Sequence, residues 1–193
     1  MNIEQFMTRE LHESARVKEA TITACVTDVQ KAVELIIASL RNRGKLLLFG
    51  NGGSAADAQH LAAEMVIRLS HDIIRPGLPA ISLATDSSIM TAGGNDIGFE
   101  NVFARQVEAL AHPEDILLAI STSGNSGNIL RALKKAKEKN VKSIGLLGGD
   151  GGKCKELVDI AIIVPTKNTQ RIQETHITLG HIIIELVERE LYK

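Results

Sequence analysis

Apolar residues recur at helical spacing from residue 2 to about 43, with Ile3, Phe6, Met7 and Leu11 followed by Val26, Val29, Val33, Ile36, Ile37 and Leu40. Gly44 is placed to stop that helix. The pattern then changes. Five short runs, 45–49, 79–84, 115–120, 142–147 and 159–164, are rich in Ile, Leu or Val without clean alternation, as expected of strands covered on both faces. Between them, 54–69, 86–93, 99–111 and 126–139 carry helical patterns, and a last helix is predicted from about 169 to 191. Strand and helix in alternation imply right-handed crossovers and an α/β fold: a five-stranded, parallel, doubly wound sheet with helices on both faces. The first 43 residues offer more apolar helical surface than a covered sheet can take. They are expected to form a helical arm, 1–43, that packs on another subunit, with the sandwich at 44–193 completing a single domain.

Ligands of such a sheet sit at the carboxyl ends of its strands, and two of those ends share one design. Leu46-Leu47-Leu48-Phe49 runs into Gly50-Asn51-Gly52-Gly53-Ser54, and Ile116-Leu117-Leu118-Ala119-Ile120 runs into Ser121-Thr122-Ser123-Gly124-Asn125-Ser126. Each loop opens a helix. Backbone N–H groups and hydroxyls gathered at the positive end of a helix suit a phosphate oxyanion. A plain N-cap needs one hydroxyl or amide, which leaves most of the second loop unexplained unless it binds an anion. The first loop also fits the dinucleotide pattern Gly-x-Gly-x-x-Gly/Ala, but that reading needs an acidic residue about 20 positions on, and the candidate, Asp86, is too far. The stretch from Gly148 to Cys154 fails as a nucleotide P-loop, because Leu147 stands where its first glycine belongs and Cys154 where Ser or Thr belongs.

Composition narrows the partner. The chain of 193 residues holds 22 basic and 23 acidic side chains, and its formal charge of −1 leaves no footprint for nucleic acid or an anionic membrane. Aromatic side chains are few, so base-stacking platforms are not expected. No apolar run approaches the ~20 residues that span a bilayer, and no signal peptide is evident, so a cytoplasmic protein is expected. Cys25 and Cys154 match no metal or redox spacing and read as reduced packing residues.

The titratable candidates lie on helices. His60 and Glu64, four apart, share one face of the helix that follows the glycine loop. They form either an exposed i,i+4 hydrogen bond or, given their position, a proton-transferring group beside a bound phosphate ester. The last helix carries Gln173, Glu174, His176 and His181 amid aliphatics, where a buried His must find a partner. His60, Glu64, Gln173 and His181 offer nitrogen and oxygen donors for zinc, although Gln is an uncommon ligand. Asn95-Asp96, after Gly93-Gly94, reads either as a turn or as a contact to substrate.

Gly50-Asn51-Gly52-Gly53-Ser54, His60 with Glu64, Gly94-Asn95-Asp96, the loop 121–126, and Arg171-Ile172-Gln173-Glu174 with His181 together resemble the bacterial phosphoheptose isomerases of the sugar isomerase superfamily, over nearly the whole chain. The resemblance implies a three-layer sandwich, a homotetramer with sites between subunits, and interconversion of sedoheptulose 7-phosphate with D-glycero-D-manno-heptose 7-phosphate. It implies substrate contacts from Asn51, Gly52, Gly53, Ser54, Glu64, Arg68, Asn95, Asp96, Ser121, Thr122, Ser123, Ser126 and Gln173. Zinc, one per subunit, would take His60, Glu64, Gln173 and His181, with Glu64 and His181 as the acid/base pair. Some members have Asp before Arg-Ile-Gln, where this chain has Gln170. A related initiator-associating protein shares the fold without the residues matching Glu64 and His181, so a sugar-phosphate-sensing or replication-initiator-binding module is the alternative. Both residues are present here, which favours the enzyme.

Overall fold

The long apolar stripe folds as one helix. In the computed structural model, which describes residues 2–193, α1 runs over Ile3–Arg41 and is followed by β1 (Leu46–Gly50), α2 (Gly53–Val66), β2 (Ala80–Ser82), α3 (Ser87–Asp96) and α4 (Val102–Leu110). Then come β3 (Ile116–Ser121), α5 (Gly127–Glu138), β4 (Lys142–Gly148), β5 (Ile160–Val164) and α6 (Thr169–Tyr192). The strands form one parallel sheet in the order β2-β1-β3-β4-β5.

Burial explains why the strand runs do not alternate. Leu46, Leu48, Leu118, Ile120, Ile144 and Leu146 face a core shared with α1, α2 and α6, while Leu47, Phe49, Leu117, Ala119 and Leu147 face a second core shared with α4 and α5. Every residue of β1 and β3 is buried. The edge strand β2 keeps only three residues of the run at 79–84, and its Ile81 is exposed.

Two expectations are corrected. The arm 1–43 does not stand apart from the sandwich: from Thr21 onward α1 buries Cys25, Val29, Ala32, Val33, Ile36 and Ile37 in the core beneath the sheet. Among the described residues that face of β4 and β5 is covered by α1 and α6, so α1 completes the layer. The first half of α1 presents Ile3, Phe6, Met7 and Leu11 to solvent, and Ile22 and Val26 farther along are exposed as well. Gly93-Gly94 does not end α3, which continues through Asp96. Gly93 sits where a Cβ would lie 2.9 Å from Val102 Cγ2, so its small size serves helix packing rather than a turn.

Candidate active site

Strand order decides where a ligand goes. From β1 the chain crosses through α2 to β2 on one side, and from β3 through α5 to β4 on the other, so a crevice opens between the carboxyl ends of β1 and β3. Both polar loops end there. Asn51, Ser54, Ile120, Ser121, Thr122 and Ser126 line a cavity of about 50 Å³.

The two helices that start at this cavity are prepared for an anion. Asn2, Asp86 and Asn168 cap α1, α3 and α6 with their side chains. By contrast, α2 and α5 have Gly52 and Ser126 at the N-cap, no side-chain cap hydrogen bond and no acidic residue in the first turn. Their positive ends are therefore left for a ligand. Gly52 adopts φ 55°, ψ −121°, a left-handed region that favours glycine. The loops are braced from behind. Asn51 and Asn128 exchange amide hydrogen bonds of 2.9 and 2.8 Å. The Gly124 N–H donates to the Ser121 hydroxyl at 3.1 Å, and the Asn125 N–H to the Ser123 hydroxyl at 3.2 Å.

A second feature lies along the flank of α2. A Cβ added to Gly53 would collide with the Gln173 amide, one added to Gly180 would lie 2.6 Å from Leu61 Cδ1, and Glu188 reaches Leu69 and Ser70. The pairings advance together, so α2 and α6 run parallel. Their contact brings His60 Nε2 to 2.7 Å from His181 Nε2, with the rings edge-on at 82°, and His60 Nε2 to 3.4 Å from Glu64 Oε1. One donor atom from each of His60, Glu64 and His181 lies within 4.8 Å of the others. Two imidazoles and a carboxylate at this spacing are a donor set that can hold a metal ion. Glu64 is partly shielded, with 21% of its side chain exposed.

A family model for the SIS domain matches residues 11–148. The chain is 52% identical over 187 residues to the phosphoheptose isomerase of Chlorobaculum parvum, covering 96% of this chain and 89% of that protein. The fold matches a phosphoheptose isomerase from Neisseria gonorrhoeae with TM-score 0.91 at 42% identity, covering 97% of this chain and 100% of that one. This chain belongs to the phosphoheptose isomerase family. A member from Francisella tularensis matches with TM-score 0.93 at 36% identity, over 98% of this chain and 100% of that chain.

Against that family pattern, the single chain assembles part of the expected constellation. Asn51, Gly52, Gly53, Ser54, Ser121, Thr122, Ser123 and Ser126 converge at the crevice, and His60, Glu64 and His181 meet beside it. Gln173 is placed at the glycine loop, eight residues or about 12 Å of helical rise before His181. Arg68 is exposed just past the end of α2. Asn95 and Asp96 are exposed at the end of α3, where the Asn95 amide donates to Asp96 Oδ1 at 2.7 Å. Among the described residues no hydrogen bond or ion pair joins Arg68, Asn95 or Asp96 to the loops. Asp86, weighed above as a ribose acid, accepts the Ile89 N–H as the cap of α3.

Three features escaped sequence reasoning, and for a further one, the buried histidine expected on α6, only the partner was left open. Asn128 is buried and faces Asn51, for which an amide in the first turn of an apolar helix was the only signal. The fully buried histidine of α6 is His176, whose Nε2 lies 2.9 Å from the Leu147 carbonyl oxygen, so a backbone group is its partner. Burial drives its pKa down to about 4, against the opposing effect of that hydrogen bond. Burial also pushes the Asp57 carboxyl up, more than the nearby His60 offsets, and its Oδ2 is buried without a hydrogen-bond partner. The last is the ion pair of Arg75 with Glu188, both side chains fully inaccessible to solvent.

Proposed function

We propose that this chain interconverts sedoheptulose 7-phosphate and D-glycero-D-manno-heptose 7-phosphate, an aldose–ketose isomerisation through an enediolate. The observation that carries the reading is the meeting of Glu64 and His181 from separate helices, on the flank of the helix whose first turn faces the polar cavity. A sensing module has no use for that pair.

The loop 121–126 with Asn51, Gly52 and Gly53 receives the phosphate, which the two open helix N-termini stabilise. His60 is seven residues and Glu64 eleven residues beyond Gly53, roughly 10 to 16 Å along α2. An extended seven-carbon phosphate spans roughly 10 Å from phosphorus to C1 at the reach of a stretched chain, which brings C1 to the turn of His60, where the Glu64 carboxylate folds back to 3.4 Å from His60 Nε2. A triose phosphate held at the same cradle falls short. Glu64 takes the proton from C1 of the ketose and returns it to C2, and His181 moves the proton between the two oxygens as the carbonyl shifts. His60, Glu64 and His181 fit zinc, which when bound would supply Lewis-acid polarisation of the sugar oxygens, whereas Gln173, expected as a fourth ligand, sits against Gly53 and does not join them within this chain.

We further infer a homo-oligomer, a tetramer on the family pattern. Its support is the apolar surface left on one face: Ile3, Phe6, Met7 and Leu11 on α1, and a groove between α1 and α6 floored by Ile22, Val26, Ile182 and Leu186. Neighbouring subunits would then bring Arg68, Asn95 and Asp96 to the site. Among the described residues no helix is long and apolar enough to cross a membrane. The buried free thiols Cys25 and Cys154 suit a reducing cytoplasm.

Purified protein supplied with sedoheptulose 7-phosphate should form the aldoheptose 7-phosphate. Stripping metal with a chelator should lower the rate by about 10²-fold or more, with recovery on adding zinc. Folded protein that binds the phosphosugar without converting it would point instead to the sensing module.

A further inference from the structure

The isomerase reading takes its carboxylate from one helix and an imidazole from another, so their separation depends on how α2 is fixed to α6. A helix end leaves its last carbonyls without donors of its own, and α2 ends at Val66. The chain that follows supplies them. The Leu78 N–H donates to the Met65 carbonyl at 3.0 Å, and Arg75 Nη2 donates to the Glu64 carbonyl at 2.8 Å. The same guanidinium is held by α6: Nε and Nη2 donate to Glu188 Oε1 at 2.8 and 2.6 Å, while Nη1 donates to the Pro76 carbonyl at 2.9 Å. Glu188 also accepts the Leu69 and Ser70 N–H groups, each at 3.0 Å. It stands seven residues after His181, on the same flank of α6.

The path from Glu188 through Arg75 to the Glu64 carbonyl is continuous, and both side chains are inaccessible to solvent. A buried ion pair is weak evidence of a stability device, because desolvation offsets its attraction. Its geometry fixes the turn of α2 that carries the Glu64 carboxylate against the helix that carries His181.

We propose that Arg75, locked by Glu188, is a positioning residue for Glu64, setting the place of its carboxylate relative to His60 and His181. The inference rests on the reading of Glu64 as proton carrier. Arg75 meets Glu64 at its backbone carbonyl and Glu188 acts through Arg75, and neither belongs to the His60, Glu64 and His181 cluster, so both work through Glu64 rather than on the substrate.

Arg75→Lys tests it. The substitution keeps a cation opposite Glu188 but replaces a planar fork with a point charge that cannot hold the carboxylate and the Glu64 carbonyl together. The expected result is a melting temperature close to wild type, a kcat lower by about 10²-fold and a KM changed by less than about twofold. Zn²⁺ titrated into chelator-stripped protein should bind about 10-fold or more weakly. Glu188→Gln serves in its place should Arg75→Lys not fold. A pair with only a structural role gives the opposite: a lower melting temperature with kcat per folded molecule and Zn²⁺ affinity unchanged, which overturns the proposal. If the wild-type chain does not turn over the heptose phosphate, the functional reading fails and the Zn²⁺ titration decides alone. Weaker binding in the variant then upholds the positioning role, and equal binding removes it.

Discussion

Glu64→Gln is expected to lower kcat for heptose 7-phosphate interconversion by roughly 10³-fold, within the range supplied by a positioned acid/base group. The amide matches the carboxylate in shape but cannot accept a proton from carbon. The fold should not change, since Glu64 is partly exposed and its one ion-pair contact is with His60 at 3.4 Å. Substrate affinity should change little, because the phosphate cradle at the start of α2 lies about 16 Å of helical rise away. Steady-state kinetics and a thermal melt on the same preparation check both halves. A variant that keeps wild-type kcat would reduce Glu64 to an i,i+4 partner of His60.

The second large effect falls on stability. Removing Glu188 leaves the Arg75 guanidinium buried without its carboxylate and the Leu69 and Ser70 N–H groups without their acceptor. Breaking such a pair on one side costs about 3–5 kcal/mol. For a chain of this length, Glu188→Ala should therefore melt roughly 10 °C below wild type. A pH signature accompanies it. Burial alone would push the Glu188 carboxyl up, but the Leu69 and Ser70 N–H groups and the Arg75 guanidinium outweigh it and hold the carboxyl below its ordinary value. A depressed carboxyl contributes stability above its unfolded pKa, about 4.3, and loses it as pH falls through the folded value. Wild type should thus lose stability below about pH 4.3 more steeply than the variant. Melts recorded across that range test it, and parallel curves would show that Glu188 is not ionised in the fold.

Much of the sheet was legible because its strands are covered on both faces, which makes 115–120 and 142–147 read as stretches rich in Ile and Leu without alternation. The edge strand β2 was overextended for the same reason, since apolar content does not mark where pairing stops. The role of α1 was missed because a stripe at helical spacing shows that a face is buried but not against what. Both polar loops were visible from their small polar residues after apolar runs. The meeting of His60 with His181 is a tertiary contact between residues 121 positions apart, so spacing could show only that each faces one flank. Arg75 lies in the irregular stretch between α2 and β2, where no periodicity predicts a partner on α6.

Isotope exchange tests proton transfer by Glu64 most directly. Sedoheptulose 7-phosphate incubated in D2O with wild-type protein through many forward and reverse turnovers should acquire deuterium at C1 of the ketose and C2 of the aldose, read by NMR, and with Glu64→Gln it should not. Sugar recovered fully protonated at both carbons after reaching isomerisation equilibrium in D2O would contradict a side-chain base and leave the convergence of residues 64 and 181 without the role assigned to it.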